Sequence, residues 1–259
     1  MSNTIHPTAL VSAKASLGEH NQIGAGVSIE AGVTLGNNNT LMQGVVLKEG
    51  TRVGNDNTLH EYSVLGGLPQ DLGFKDKPTY VELGNGNVLR EYVTVNRASQ
   101  EETATRLGND NYLMTQVHLG HDCVLANNVI IAPGTGLGGF VNVADKAFIS
   151  GGVMVHQFVH IGTYAMVGGN AKITQNVLPY MITDGVPAVA RGLNLVGLKR
   201  GGFRHNDIKI LKSAYQLINR SGLPQETVIE HLREFNHELS THLAEFMLSS
   251  KRSFHREKS

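Results

Sequence analysis

The sequence predicts a β-solenoid followed by a C-terminal α-helical domain, on three observations. An aliphatic residue recurs at every sixth position from Ile5 to Ile173, a small or β-branched residue tends to follow four positions later, and helical spacing replaces this period beyond about Asn206. Of the 29 sixfold slots between 5 and 173, only Asp71, Lys77 and Glu101 are not aliphatic. A period of six fits neither the 3.6 of a helix nor plain strand alternation, so each unit must be a short strand plus a turn.

The series opens with Ile5, Val11, Leu17 and Ile23 and runs unbroken to Leu65, with Ala9, Ala15, Val27, Val33 and Val45 as smaller inward partners. One large and one small inward residue per six suit a narrow coil. Gly36-Asn37-Asn38-Asn39 and Gly108-Asn109-Asp110-Asn111 read as turns, because these residue types adopt positive φ at little cost. Loops at about 66–80 and about 97–106 interrupt the repeat without changing its phase, so one solenoid continues through both. From Leu107 the series resumes to Ile173, with Val117, Cys123, Val129, Thr135 and Val141 in the smaller slot. Cys123 is the only cysteine, which excludes an internal disulfide framework, and its slot makes it a small buried hydrophobe rather than a nucleophile.

Residues 1–190 are therefore assigned to the solenoid and 191–259 to the helical domain. Past Val177 the period dissolves into Pro179-Tyr180 and a glycine-rich connection. Ile208, Leu211, Tyr215 and Ile218 form one helix face that stops at Gly222. Pro224 suits the first turn of a second helix bearing Val228, Leu232 and Phe235, and Leu239, Leu243, Phe246 and Met247 suggest a third. The last eight residues read as frayed.

The formal charge is zero and 41% of residues are hydrophobic, which describes a soluble globular chain and no general polyanion binder. No basic leader and no long apolar run is evident, so a cytoplasmic location is expected. From Lys199 onward 11 Lys and Arg face 7 Asp and Glu. That excess reads either as a dock for an acidic partner or as ordinary solvated helix faces.

A coil this narrow fills its interior with its own side chains, so a ligand must bind on the outer surface or between chains. Residues 18 apart stack on neighbouring coils, which sets His121, Gly139 and Gln157 in one outward row. His118, His156 and His160 lie in the same region. Histidine is the side chain best suited to act as a base near neutral pH. Zinc is the competing use, but His-x-x-His on a turning hexad points its rings to different sides, so no metal is expected.

The hexads resemble the hexapeptide family of left-handed parallel β-helices, in which three hexads make one coil, implying about ten coils and on the order of 45 Å of axis. More specific strings cover essentially the whole length: Pro69-Gln70-Asp71-Leu72, His118-Leu119-Gly120-His121-Asp122-Cys123, Val155-His156-Gln157-Phe158, Gly192-Leu193-Asn194, Gly197-Leu198-Lys199-Arg200 and Tyr215-Gln216-Leu217-Ile218-Asn219-Arg220-Ser221-Gly222. With these, the chain resembles the UDP-N-acetylglucosamine acyltransferases of lipid A biosynthesis. The resemblance implies a homotrimer with sites between subunits, transferring an (R)-3-hydroxyacyl group from the phosphopantetheine of acyl carrier protein to the sugar 3-hydroxyl, with no bound cofactor. It implies His121 as general base, Asp122 as a candidate to orient it, and Gly139 as oxyanion donor. Asp71, Asn96, His118, His156, Gln157, Asn194 and Arg200 fall on substrate-binding positions, and Gly169 on the position that limits acyl length.

Four departures from the family pattern accompany these matches. Gly73 stands where a lysine is common, with Lys75 the nearest substitute. Asn96 and Phe140 each replace a histidine, and Gly201 replaces a second arginine. Transfer to a UDP-3-amino sugar is the nearest alternative. A coenzyme A-dependent acetyltransferase and a noncatalytic solenoid are the alternatives from other classes.

Overall fold

The structure, a computed structural model, describes residues 2–250 and 252–257. Among the described residues, three sheets of 11, nine and eight strands, parallel except for the last strand of the first, form the faces of a prism, starting at Thr4–Ile5, Leu10–Val11 and Ser16–Leu17. Most strands contain two residues, the second being the aliphatic slot. Each strand pairs with the one a full coil away, as in Thr4 with Gln22 and Gln22 with Thr40. Eight coils have a strand on every face. In a ninth, the third face is reduced to the bridge between Ile161 and Val177, and Met181–Gly185 begins a tenth by pairing with Met166–Val167.

The aliphatic series is the core. Leu59, Leu89, Leu113, Leu119 and Ile131 have no exposed surface, and Val27, Val93, Val117, Cys123 and Val129 in the smaller slot have none either. Burial pushes the Cys123 thiol up to about 12, so it stays protonated and inert. The turn asparagines divide their work. Only the third residue of each quartet has positive φ, Asn38 at 57° and Asp110 at 56°. Their neighbours form ladders along the coil axis instead. Asn21 Oδ1 accepts from Asn39 N at 2.9 Å, and the pattern repeats through Asn57, Asn87 and Asn111. These buried amides satisfy backbone groups that a tight corner would strand.

The two loops lengthen the ladder step from 18 residues to 30 and then 24. They also hold each other. Asn96 Nδ2 donates to Leu68 O at 2.5 Å, Arg97 N to Gly67 O at 2.8 Å, and the Arg97 guanidinium to Asp76 at 2.9 Å. Glu102 N donates to Pro78 O, and Ala98 N to Tyr80 O.

A hairpin of Met181–Gly185 and Ala188–Leu193 closes the C-terminal edge of the first sheet. Among the described residues four helices follow: α1 (Leu195–Arg200), α2 (His205–Arg220), α3 (Gln225–Glu234) and α4 (Glu238–Ser249). They share a second apolar core around Leu211, Ile218, Leu232 and Leu243. The hairpin and α1 occupy the stretch expected to be a glycine-rich connection. Pro224 occupies the N-cap of α3, one position before its first turn. The expected fraying is also corrected for the described tail. Phe254 joins the second core, and buried His255 accepts from Thr174 N and Gln175 N through Nε2. Glu257 pairs with Arg220 at 2.8 Å, while Lys258 and Ser259 lie outside the described residues.

Candidate active site

His121 sits at the corner between the second and third faces, just after the strand His118–Leu119. Strand pairing of Leu119 with Leu137 and of Leu137 with Val155 carries the register into that corner, stacking His121, Gly139 and Gln157. Phe140 N donates to His121 O at 2.9 Å and Phe158 N to Gly139 O at 3.0 Å, which continues the ladder through the turn. A cavity of about 450 Å³ opens along this row. Glycines 120, 136, 138 and 139 keep its floor low, His118 and His121 stand at one side, and His156 and Gln157 at the other.

His121 Nδ1 lies 2.8 Å from Asp122 Oδ2. A carboxylate only accepts, so Nδ1 carries the proton and Nε2 is left with a free lone pair. Gly139 is packed against that ring: a Cβ there would come within 2.6 Å of Cε1 and 2.7 Å of Nε2. Gly139 N–H donates to no acceptor among the described residues. Asp122 is itself held from behind. Ser99 donates to Oδ2 through Oγ at 2.6 Å and through N at 3.0 Å, and Asp122 N donates to Thr105 Oγ1 at 2.8 Å.

His118 is half-buried, and desolvation lowers its pKa. Its Nδ1 meets Thr94 Oγ1 at 2.8 Å. Phe140 meets the His121 ring edge-on at 5.3 Å and stacks on Phe158 at 4.7 Å, forming an apolar wall. Arg252 reaches back from the tail and donates to Gln157 O at 2.6 Å, holding the far corner.

Five of the expected residues, His118, His121, Gly139, His156 and Gln157, thus line one cavity, with Asp122 behind them. Asp71 is exposed on the first loop, accepting from Gly73 N at 2.8 Å, and its neighbour Gln70 lines the cavity. Asn96 does not line this cavity: its amide is buried, and Nδ2 donates to the loop carbonyl of Leu68. Asn194 caps α1 and donates to Tyr164 O at 2.9 Å. Arg200 is exposed at the end of α1, and Gly201 packs on Tyr164, where a Cβ would lie 2.6 Å from the hydroxyl. Tyr164 belongs to the corner between the third and first faces, so Asn194 and Arg200 stand at a different edge of the prism. Gly169 is exposed at the corner between the first and second faces, three coils beyond His121.

The sequence reading missed Gln70, Ser99 and the floor glycines 120, 136 and 138. Ser99 carried no signal, since it lies in a loop with no repeat to place it. Gly120 and Gly138 lie 18 residues apart and Gly136 lies 18 from His118, so the same ruler could have found them. Among the described residues, the one cluster whose potential metal-ligand atoms lie within 4.8 Å is His60, Glu61 and Glu91, on another corner. Arg90 already pairs with Glu91 there at 2.8 Å.

Known proteins match both halves of the chain. Residues 14–49 match a hexapeptide repeat of succinyl-transferase, 104–139 a bacterial transferase hexapeptide, and 176–255 the second domain of UDP-N-acetylglucosamine O-acyltransferase. The acyl-[acyl-carrier-protein]--UDP-N-acetylglucosamine O-acyltransferase of Verminephrobacter eiseniae is 43% identical over 235 residues, covering 90% of this chain and 89% of that one. The protein of that name from Synechocystis is 44% identical over 189 residues, 73% of this chain and 68% of its own. The UDP-N-acetylglucosamine acyltransferase of Francisella novicida superposes with a TM-score of 0.95 at 29% identity, covering 99% and 95% of the two chains. That of Bacteroides fragilis gives 0.95 at 33%, covering 98% and 100%.

Proposed function

The chain belongs to the acyl-[acyl-carrier-protein]--UDP-N-acetylglucosamine O-acyltransferase family, and we propose that it moves an (R)-3-hydroxyacyl chain from acyl carrier protein to the 3-hydroxyl of UDP-N-acetylglucosamine, the first step of lipid A biosynthesis. The observation that carries the mechanism is the His121–Asp122 pair, whose free Nε2 lies against Gly139 at the cavity. His121 Nε2 takes the proton of the sugar hydroxyl as its oxygen bonds the thioester carbon. The carbon–sulfur bond then breaks, and His121 returns the proton to the departing thiolate. Asp122 holds the imidazole in the tautomer this requires and stabilises the imidazolium formed between the two steps.

The oxyanion of the tetrahedral intermediate falls to the Gly139 N–H, an unpaired corner amide beside the base; one such donor contributes roughly 3 kcal/mol. No acyl-enzyme is required: Cys123 is buried beneath the cavity floor, its thiol donating to Gly138 O at 3.1 Å. His118, His156, Gln157 and the loop bearing Asp71 bind the two substrates. The separation of Asn194 and Arg200 from this cavity supports a homotrimer in which a neighbouring subunit supplies them. Gly169, about 14 Å along the axis at three strand spacings, leaves room for the acyl end. No helix among the described residues is long and apolar enough to cross a membrane, and the enzyme works in the cytoplasm on a carrier-bound donor.

The names of the relatives favour the hydroxyl acceptor over the 3-amino sugar. Purified protein given an (R)-3-hydroxyacyl-acyl carrier protein and each nucleotide sugar separately tests this. Turnover of UDP-N-acetylglucosamine is expected; turnover of the amino sugar alone overturns the acceptor assignment, and turnover of neither overturns the function.

A further inference from the structure

We propose that Ser99, on the second interruption of the repeat, is a positioning residue that sets the working state of the His121–Asp122 pair. The inference rests on His121 acting as the base. Three donors converge on Asp122 Oδ2: His121 Nδ1 at 2.8 Å, Ser99 Oγ at 2.6 Å and Ser99 N at 3.0 Å. The other oxygen is poorly served, because Thr103 Oγ1 lies 3.4 Å from Oδ1 and 2.6 Å from Gln100 O, and its single proton goes to the nearer acceptor. The Asp122 side chain is 9% exposed, so water cannot replace the Ser99 hydroxyl freely.

The Ser99 hydroxyl has two effects on the pair. It aims Oδ2 at the imidazole, and it withdraws charge from that oxygen, restraining its pull on the Nδ1 proton. Ser99 is in turn held by the paired loops, through Ala98 N to Tyr80 O and Thr103 N to Gln100 O. The second loop therefore supports the base from behind while the first presents Gln70 to the cavity. Without the hydroxyl, Asp122 attracts the imidazolium more strongly, and a larger share of His121 carries a second proton at a given pH. That form cannot act as a base, so the acid limb of the rate profile moves to higher pH. The other titratable groups facing the cavity, His118 and His156, are not touched by Ser99.

The test compares kcat, KM, pH profile and melting of the full-length enzyme with Ser99→Ala, Ser99→Cys, Ser99→Thr and His121→Ala. Cysteine keeps the volume but donates poorly, and threonine keeps the hydroxyl. Alanine and cysteine are expected to lower kcat about three- to tenfold with little change in KM and to move the acid limb upward, while threonine retains activity. Wild-type kcat and profile in both variants, beside an inactive His121→Ala, overturn the inference and leave the base in place. Full activity of His121→Ala overturns both. Loss of folding in alanine and cysteine alike, or an effect confined to KM, makes Ser99 a loop-packing residue and also overturns the proposal.

Discussion

Gly139 lies so close to His121 that a single added carbon would enter the imidazole: the Cβ position is 2.6 Å from Cε1 and 2.7 Å from Nε2. The backbone of one coil thereby sets where the ring of the previous coil can stand. Gly139→Ala must tilt the ring away from Asp122 or shift the corner, and about an ångström of misplacement costs on the order of 100-fold in rate. We expect kcat to fall by roughly that factor, and, because Gly139 is buried, the added carbon should also cost about 1–3 kcal/mol of stability. Wild-type kcat in this variant would mean that ring placement does not matter.

The docked tail predicts a pH dependence of stability. Burial holds His255 below its ordinary value of 6.5, opposed by the hydrogen bond to Ala188 O, and burial lowers His118, His160 and His242 likewise. Below 6.5 the unfolded chain takes protons that the folded chain resists, so this stability is complete above that pH and is lost on acidification. Protonating His255 also removes the acceptor shared by Thr174 N and Gln175 N. The melting temperature should fall from pH 8 to pH 5.5, and less steeply in His255→Gln, which keeps an acceptor without titrating. Equal slopes for the two proteins would remove His255 from this account.

Gly201 and Tyr164 form a matched pair. A Cβ on Gly201 would lie 2.6 Å from the Tyr164 hydroxyl and 2.7 Å from its ring. Gly201→Ala should destabilise by about 1–3 kcal/mol, and Tyr164→Ser should cancel much of that loss in a double-mutant cycle read by denaturation. Additive effects would show that the two residues do not limit each other.

The solenoid was legible because its core has only one way to repeat: Leu113, Leu119 and Leu125 sit at successive sixth positions and are all buried. The His121 row was legible by the same ruler, and the strings around His118 and Val155 pointed to the chemistry. What escaped had no period. Ser99 and Gln70 act from loops, and α1 has six residues, too few to display a helical face. The tail looked frayed because only Phe254 is apolar, whereas its anchoring depends on His255 meeting backbone N–H groups 80 residues away. Asn37 and Asn39 resembled their turn neighbour Asn38 in type, yet ladder bonding separates their roles.

The central claim is that His121 is the base of an acyl transfer. Its most direct measurement is the turnover of UDP-N-acetylglucosamine by His121→Ala with an (R)-3-hydroxyacyl-acyl carrier protein, with melting and assembly checked against the unmodified enzyme. Loss of general-base catalysis predicts a kcat lower by about 10²–10⁴-fold in a protein that melts normally. A folded His121→Ala protein that turns over at the rate of the unmodified enzyme would contradict the account.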